Sequence, residues 1–456
     1  MLAETNFYFS KHKLPMEKKA WNRERLTQSL AEAHASINIP ENSSFWKKLL
    51  AFVGPGLMVA VGYMDPGNWA TDIEGGARFG YTLLFVILLS NVFAMFLQYL
   101  ALKLGIATER DLAQACRDHY KPTVNFILWI LCEIAIAAMD LAEVIGSAIA
   151  LNLLFGIPLP WGVAITVADV FLILFLQAKG FRKLESVVGA LIIIIAGCFM
   201  YELIVSSPNM PDVVKGLLPH PEIVTNPSML YIAVGILGAT VMPHNLYLHS
   251  SVVQTRNYKR TESGKKMAIK YATIESNVSL LLAFFINAAI LITAAATFHG
   301  TPYENIADIH DAYQMLTPVL GASLASTLFA IALLASGQNS TITGTLAGQI
   351  VMEGFLNLRL KPWVRRLVTR LIAVIPAMIV AILYGEKGTN ELLILSQVIL
   401  SMQLSFAVIP LVKFTSSKAK MGRFVNTLWI KIVAWIITII IVILNLFLLI
   451  ETFKQL

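Results

Sequence analysis

The chain is poor in charge: of its 456 residues only 14% are Asp, Glu, Lys or Arg, against roughly 25% in soluble domains, while 57% are hydrophobic. That balance excludes a soluble globular fold and makes the protein a polytopic membrane protein. Cysteine is nearly absent. Cys116, Cys132 and Cys198 form no C-x-x-C pair and two of them lie inside apolar runs, so neither a disulfide framework nor a zinc site is expected. H-E-x-x-H, G-x-S-x-G and any cysteine–histidine constellation are also missing, so the chain reads as a non-enzyme without a resident cofactor. The net charge of +7 does not indicate a nucleic-acid partner, because Lys and Arg are scattered over loops and make no compact basic face.

No short apolar core with a small-residue cleavage site opens the sequence. Residues 1–48, polar and carrying Lys18, Lys19, Arg23, Arg25, Lys47 and Lys48, read as a cytoplasmic tail. Apolar runs then predict eleven helical spans, at about 49–72, 82–104, 123–154, 162–178, 186–206, 229–256, 271–298, 319–352, 364–384, 390–413 and 429–450. With the tail inside, every second loop is basic: Lys179, Arg182 and Lys183, then the stretch from Arg256 to Lys270, then Arg359 to Arg366. The loop after span seven is acidic, with Glu304, Asp308 and Asp311. The positive-inside rule therefore puts the amino terminus in the cytoplasm and, after an odd number of spans, the carboxyl terminus outside. No organellar signal is visible, and a bacterial plasma membrane is the expected location.

Two of the runs contain stretches that lipid would reject: Asp65-Pro66-Gly67-Asn68 in span one and Met242-Pro243-His244-Asn245 in span six. Proline removes a helical hydrogen bond, and a mid-membrane charge costs at least roughly 2.5–3.5 kcal/mol. Both helices are expected to break there, with the freed backbone groups buried in protein or lining a cavity. Spans one and six are five apart, and an odd repeat reverses its orientation. Five spans with one break, followed by five more with one break, predict an inverted repeat around a single mid-membrane site. On this reading residues 49–206 form the first repeat, 207–228 an external loop, 229–415 the second repeat and 416–456 an added eleventh span.

The two stretches offer the Asp65 carboxylate, the Asn68 side-chain carbonyl, main-chain carbonyls near Gly62 and Ala239, and the Met242 thioether. Oxygen donors suit hard cations, whereas a thioether is a softer ligand for which Mg²⁺ and Ca²⁺ have no use. The mixture favours Mn²⁺ or Fe²⁺. The sequence alone also admits Met242 as apolar packing and the prolines as plain kinks. In span three, Glu133, Asp140 and Glu143 are spaced by seven and three, which places three intramembrane carboxyls on one helical face, as in a proton relay. His244 and His249 beyond the second break and Arg370 in span nine are candidate partners. A fixed bridge from Asp140 or Glu143 to Arg370 is the alternative.

The stretches Gly-Tyr-Met-Asp-Pro-Gly-Asn and Gly-Ala-Thr-Val-Met-Pro-His-Asn-Leu-Tyr-Leu-His closely resemble the Nramp family of proton-coupled divalent transition-metal transporters. The resemblance covers essentially everything after the tail. It implies an all-α, LeuT-type fold with ten spans in two inverted repeats plus an eleventh. It places a metal site on Asp65, Asn68, Met242 and the carbonyls of Gly62 and Ala239, with Gln397 joining when the site is occluded. Some relatives carry alanine at Gly62, a change expected to matter little for a carbonyl ligand. The resemblance also implies a proton route through Asp65, His244, Asp140 and Glu143, with Glu133 and Arg370. The expected cargo is Mn²⁺ or Fe²⁺, with Co²⁺ and Cd²⁺ also open; the expected partners are protons and the lipid bilayer, and the expected working unit is a monomer. A carrier of amino acids with this fold would find its substrate carboxylate repelled by Asp65. A metal sensor would need a soluble output domain, and none is evident.

Overall fold

In lipid every backbone N–H and C=O has to find a partner inside the protein, and long apolar runs meet this by folding as helices. The computed structural model describes residues 21–455 apart from 25–27, 41–42, 170, 172–174, 177–178, 305–308, 322–323 and 360; Lys18, Lys19, Arg25 and Asp308 lie outside the described residues. Among the described residues, seven helices are long and apolar enough to cross a membrane, or eight if a bent pair at the start counts as one span. Spans two, three and five are Leu84–Thr108, Pro122–Phe155 and Phe181–Ser206. Spans seven and eight are Glu262–Phe298 and Ala325–Leu356. Spans nine, ten and eleven are Pro362–Leu383, Gly385–Thr415 and Leu428–Gln455, and span four begins with Leu159–Ile165. Span seven starts about nine residues before its expected edge, because the Thr261 hydroxyl caps it by accepting from the Gly264 N–H and the lysines of its first turns carry the helix out into water.

Span six breaks where expected, between Pro227–Thr240 and Pro243–Val252. Span one breaks twice. Pro55–Val61 and Pro66–Phe79 are separated at Asp65, and a further break at Val53–Gly54 sets Phe45–Phe52 at a 45° bend to Pro55–Met64. Gly54 has φ +142°, a conformation open to glycine, and a Cβ there would lie 2.2 Å from Glu185 Cδ. The run Gly54-Pro55-Gly56 was the sequence signal for it.

That extra break orphans both helix ends, and charged side chains from other spans satisfy them. The Glu275 carboxylate of span seven accepts from the N–H groups of Gly54, Gly56 and Leu57 at 2.9–3.2 Å. Arg256 donates to the carbonyls of Ala51, Phe52 and Val53 at 2.6–3.2 Å, and Arg182 donates to those of Leu50 and Val53. Both arginines also bind Glu185 of span five, Arg256 at 2.6 Å and Arg182 at 3.0 Å. The first half of span one is thereby docked to spans five and seven on the face that carries the basic loops.

The described part of the tail is also docked there. Ile37–Asn38 pairs in parallel with Arg256–Asn257, the one strand pair among the described residues of an otherwise helical chain. The Leu30 N–H donates to Glu353 at 3.0 Å, and Trp21 packs edge-on against Phe414 beneath the Lys420 ammonium, 3.8 Å from its ring.

Candidate metal centre

In an α-helix the carbonyl of residue i accepts from the N–H of residue i+4. Gly62 stands four residues before Pro66, and Ala239 four before Pro243; neither proline has an N–H to give. Each proline thus releases the one carbonyl on which the family resemblance places a ligand. The residues before them, Asp65 (φ −71°, ψ 165°) and Met242 (φ −75°, ψ 129°), are extended, and each heads the second helix of its span.

The two breaks meet at Asn68. Its side-chain amide lies 2.7 Å from Asp65 Oδ1, 3.1 Å from the Ala239 carbonyl and 3.4 Å from the Gly62 carbonyl. The Asn68 backbone N–H also donates to Asp65 Oδ1 at 2.9 Å. Three oxygens from two broken helices therefore converge on a single donor group, and every residue involved is buried. An NH₂ group here occupies a place that suits a cation, and a half-turn of the amide would present its oxygen as a fourth ligand. Asp65 Oδ2 is buried and has no hydrogen-bond partner among the described residues.

Two further predicted ligands flank this cradle. Gln397 of span ten presses on the Asp-Pro-Gly-Asn turn: a Cβ on Gly67 would fall 1.7 Å from its Nε2, and its buried Oε1 has no hydrogen-bond partner among the described residues. Met242 is fully buried and packs with Ala135 and Met139 of span three and Leu400 of span ten. No group of three or more His, Cys, Asp and Glu able to hold a metal occurs among the described residues. The candidate centre is of another kind, with one carboxylate among neutral donors.

Sequence reading missed the residues that support the break. Asn287 of span seven donates to the Tyr63 carbonyl at 2.6 Å, and the Met64 carbonyl accepts from Trp69 Nε1 at 3.2 Å and from the Ser336 hydroxyl of span eight. Only the polarity of Asn287 and Ser336 within apolar runs could have flagged them. Asn245 was missed as well. Its buried amide has no hydrogen-bond partner among the described residues, and a Cβ on Gly62 would lie 2.2 Å from its Nδ2. Alanine at Gly62 would leave the carbonyl in place, and its Cβ would require the Asn245 amide to move aside.

The span-three carboxyls are divided. Asp140 and Glu143 converge on Gly344 of span eight, where a Cβ would lie 3.5 Å from Asp140 Oδ1 and 3.0 Å from Glu143 Oε1. Arg370 Nη1 is 3.5 Å from Glu143 Oε2, so span nine does bring its arginine to this pair. Glu133 is only partly buried and accepts from Trp129 Nε1 at 2.9 Å. His244 is fully buried, and neither ring nitrogen has a hydrogen-bond partner among the described residues. His249 turns to span two instead, its Nδ1 3.0 Å from Gln98 Oε1, while Gln98 Nε2 donates to the Tyr63 hydroxyl at 3.0 Å.

Buried helix breaks that face each other across a bundle of apolar spans define a membrane transporter of the LeuT-type fold rather than an enzyme. Residues 56–451 match the family described as Nramp, natural resistance-associated macrophage protein-like, and the chain belongs to that family. It is 63% identical over 446 residues to the divalent metal cation transporter MntH of Listeria welshimeri, covering 98% of this chain and all of that protein. The corresponding Nostoc protein is 62% identical over 424 residues, covering 93% of this chain and 96% of the relative. Among solved structures, the Eremococcus coleocola manganese transporter superposes with a TM-score of 0.87 at 46% identity, over 92% of this chain and 90% of that one. MhsT in complex with L-phenylalanine shares the fold alone, with a TM-score of 0.58 at 13% identity over 86% of this chain and 98% of that one.

Proposed function

We propose that the chain imports a divalent transition metal, Mn²⁺ or Fe²⁺, across a bacterial plasma membrane by alternating access coupled to proton movement. The observation that carries the reading is the convergence of Asp65 and the Gly62 and Ala239 carbonyls on the Asn68 amide, within the two broken helices. Relatives at 62–63% identity named as divalent metal cation transporters, and a structural neighbour named as a manganese transporter, support the cargo class. The Met242 thioether at the head of the second break selects against Mg²⁺ and Ca²⁺. Because all of these donors belong to one chain, a monomer suffices.

The face with the basic loops is the cytoplasmic one. The docked first half of span one then closes the site to the cytoplasm. Metal enters from outside and exchanges water for protein ligands, and it leaves when that half of span one undocks. An interior-negative potential of about 100 mV favours entry of a divalent ion by about 4.6 kcal/mol. A bound cation favours the ionised form of Asp65, so metal binding expels its proton. The departing proton passes His244 to Asp140 and Glu143, where Arg370 waits, with Glu133 further along span three.

Reconstitution tests this. Mn²⁺ uptake and lumen pH are recorded together in liposomes, with Mg²⁺ and Ca²⁺ in excess. Saturable uptake that acidifies the lumen and ignores the alkaline earths is expected; Mn²⁺ binding without flux would sink the proposal. In the same assay Met242→Ala is expected to keep Mn²⁺ uptake within about tenfold of the parent but to admit Mg²⁺ or Ca²⁺ as competitors, because the soft donor supplies selectivity more than affinity. Gly67→Ala is expected to lower uptake by about tenfold or more, since a Cβ 1.7 Å from Gln397 Nε2 forces that side chain off the turn. Parental uptake by Gly67→Ala would remove Gln397 from the site.

A further inference from the structure

Arg370 is almost fully buried and faces charge on two sides. From span three it meets Glu143, with Asp140 beside it at Gly344; from span four it meets Asp169, which lies just beyond the Thr166–Ala168 turn. Span eight contributes the neutral Gln338. The two contacts are unequal. Arg370 Nη2 donates to Asp169 Oδ2 at 3.2 Å and Nε donates to the Thr166 carbonyl at 3.4 Å, while Gln338 Nε2 donates to the same Asp169 oxygen at 2.8 Å. Nη1, 3.5 Å from Glu143, makes no hydrogen bond among the described residues.

We infer that Asp169 is a positioning residue for proton movement, the standing counter-ion that holds Arg370 back from a hydrogen-bonded pair with Glu143, so that Glu143 can take up and give back a proton. A guanidinium fully engaged with a carboxylate keeps it ionised. One anchored between Asp169 and the Thr166 carbonyl instead offers Glu143 a partial charge at longer range, compatible with both protonation states. The transfer makes and breaks only an O–H bond on the Glu143 carboxyl. The sequence reading did not single out Asp169, although it lies inside the fourth apolar run at about 162–178.

The inference rests on the proton-coupled reading of the transport cycle, and the experiment separates the two. Mn²⁺ uptake and lumen acidification are measured together in proteoliposomes of the full chain, with Mn²⁺ binding as the check on folding. A parent that moves Mn²⁺ without acidification defeats the coupled reading itself. With a parent that acidifies, Asp169→Asn is expected to lower the protons moved per Mn²⁺ by about fivefold with the KM for Mn²⁺ within about twofold, as Arg370 closes on Glu143. Asp169→Glu restores the ratio. Gln338→Ala, which only loosens Asp169, shifts it in the same direction by less and decides the matter if Asp169→Asn does not fold. An unchanged ratio, or proton and metal fluxes falling together at a constant ratio, would overturn the inference.

Discussion

Asp65→Asn is expected to reduce Mn²⁺ uptake below about 1% of the parent rate and to weaken Mn²⁺ binding at least about 100-fold, while the protein still folds. The substitution preserves shape and removes the only carboxylate among the neutral donors of the cradle. At 4 Å and an effective dielectric constant near 20, a unit charge pair is worth about 4 kcal/mol, and a divalent ion doubles that before its lost hydration is deducted. Asn68→Ala removes a neutral donor and is expected to cost only about tenfold. Isothermal titration with Mn²⁺ on both purified variants checks the order. Equal losses would mean that Asp65 acts as a helix cap, through the bond it accepts from the Asn68 N–H at 2.9 Å.

Arg256→Ala is expected to release the first half of span one. The guanidinium is fully buried and takes three carbonyls and the Glu185 carboxylate, so its removal leaves a buried charge and orphaned carbonyls. Breaking such a pair costs about 3–5 kcal/mol, which shifts the docked-to-undocked ratio by about 100-fold or more. In a background without Cys116, Cys132 and Cys198, a Met58→Cys reporter on the docked half of span one gives the readout. Its labelling from the cytoplasmic face is expected to quicken at least about tenfold in Arg256→Ala and less in Arg256→Lys, because an ammonium does not reproduce the fork of donors. Labelling at the parental rate would mean that Glu275 and Arg182 hold the segment unaided.

The membrane character and the two principal breaks were legible in the sequence because each arises from local chemistry. Long apolar runs have one fold open to them in lipid, and Asp65-Pro66 and Met242-Pro243 can only interrupt it. Even the carbonyls at Gly62 and Ala239 emerge from counting four residues back from each proline. The break at Gly54 was visible in principle as Gly-Pro-Gly, but its meaning depended on which charges lie opposite.

Tertiary structure decided the pairings. Nothing in the local pattern says that Glu275 caps Pro55–Val61, that Arg256 and Arg182 take the last carbonyls of Phe45–Phe52, or that Asn287 and Ser336 serve the carbonyls after Gly62. Nor does spacing along span three tell that Glu143 meets Arg370 while Glu133 bonds Trp129, or that His249 faces Gln98. These are contacts between residues far apart in the chain, fixed by how the helices cross and rotate. The sequence by itself determined where the helices must fail and which donors they then expose; the packing of the bundle determined which partner each exposed group meets, because a buried polar group is satisfied by whatever its neighbouring helix presents.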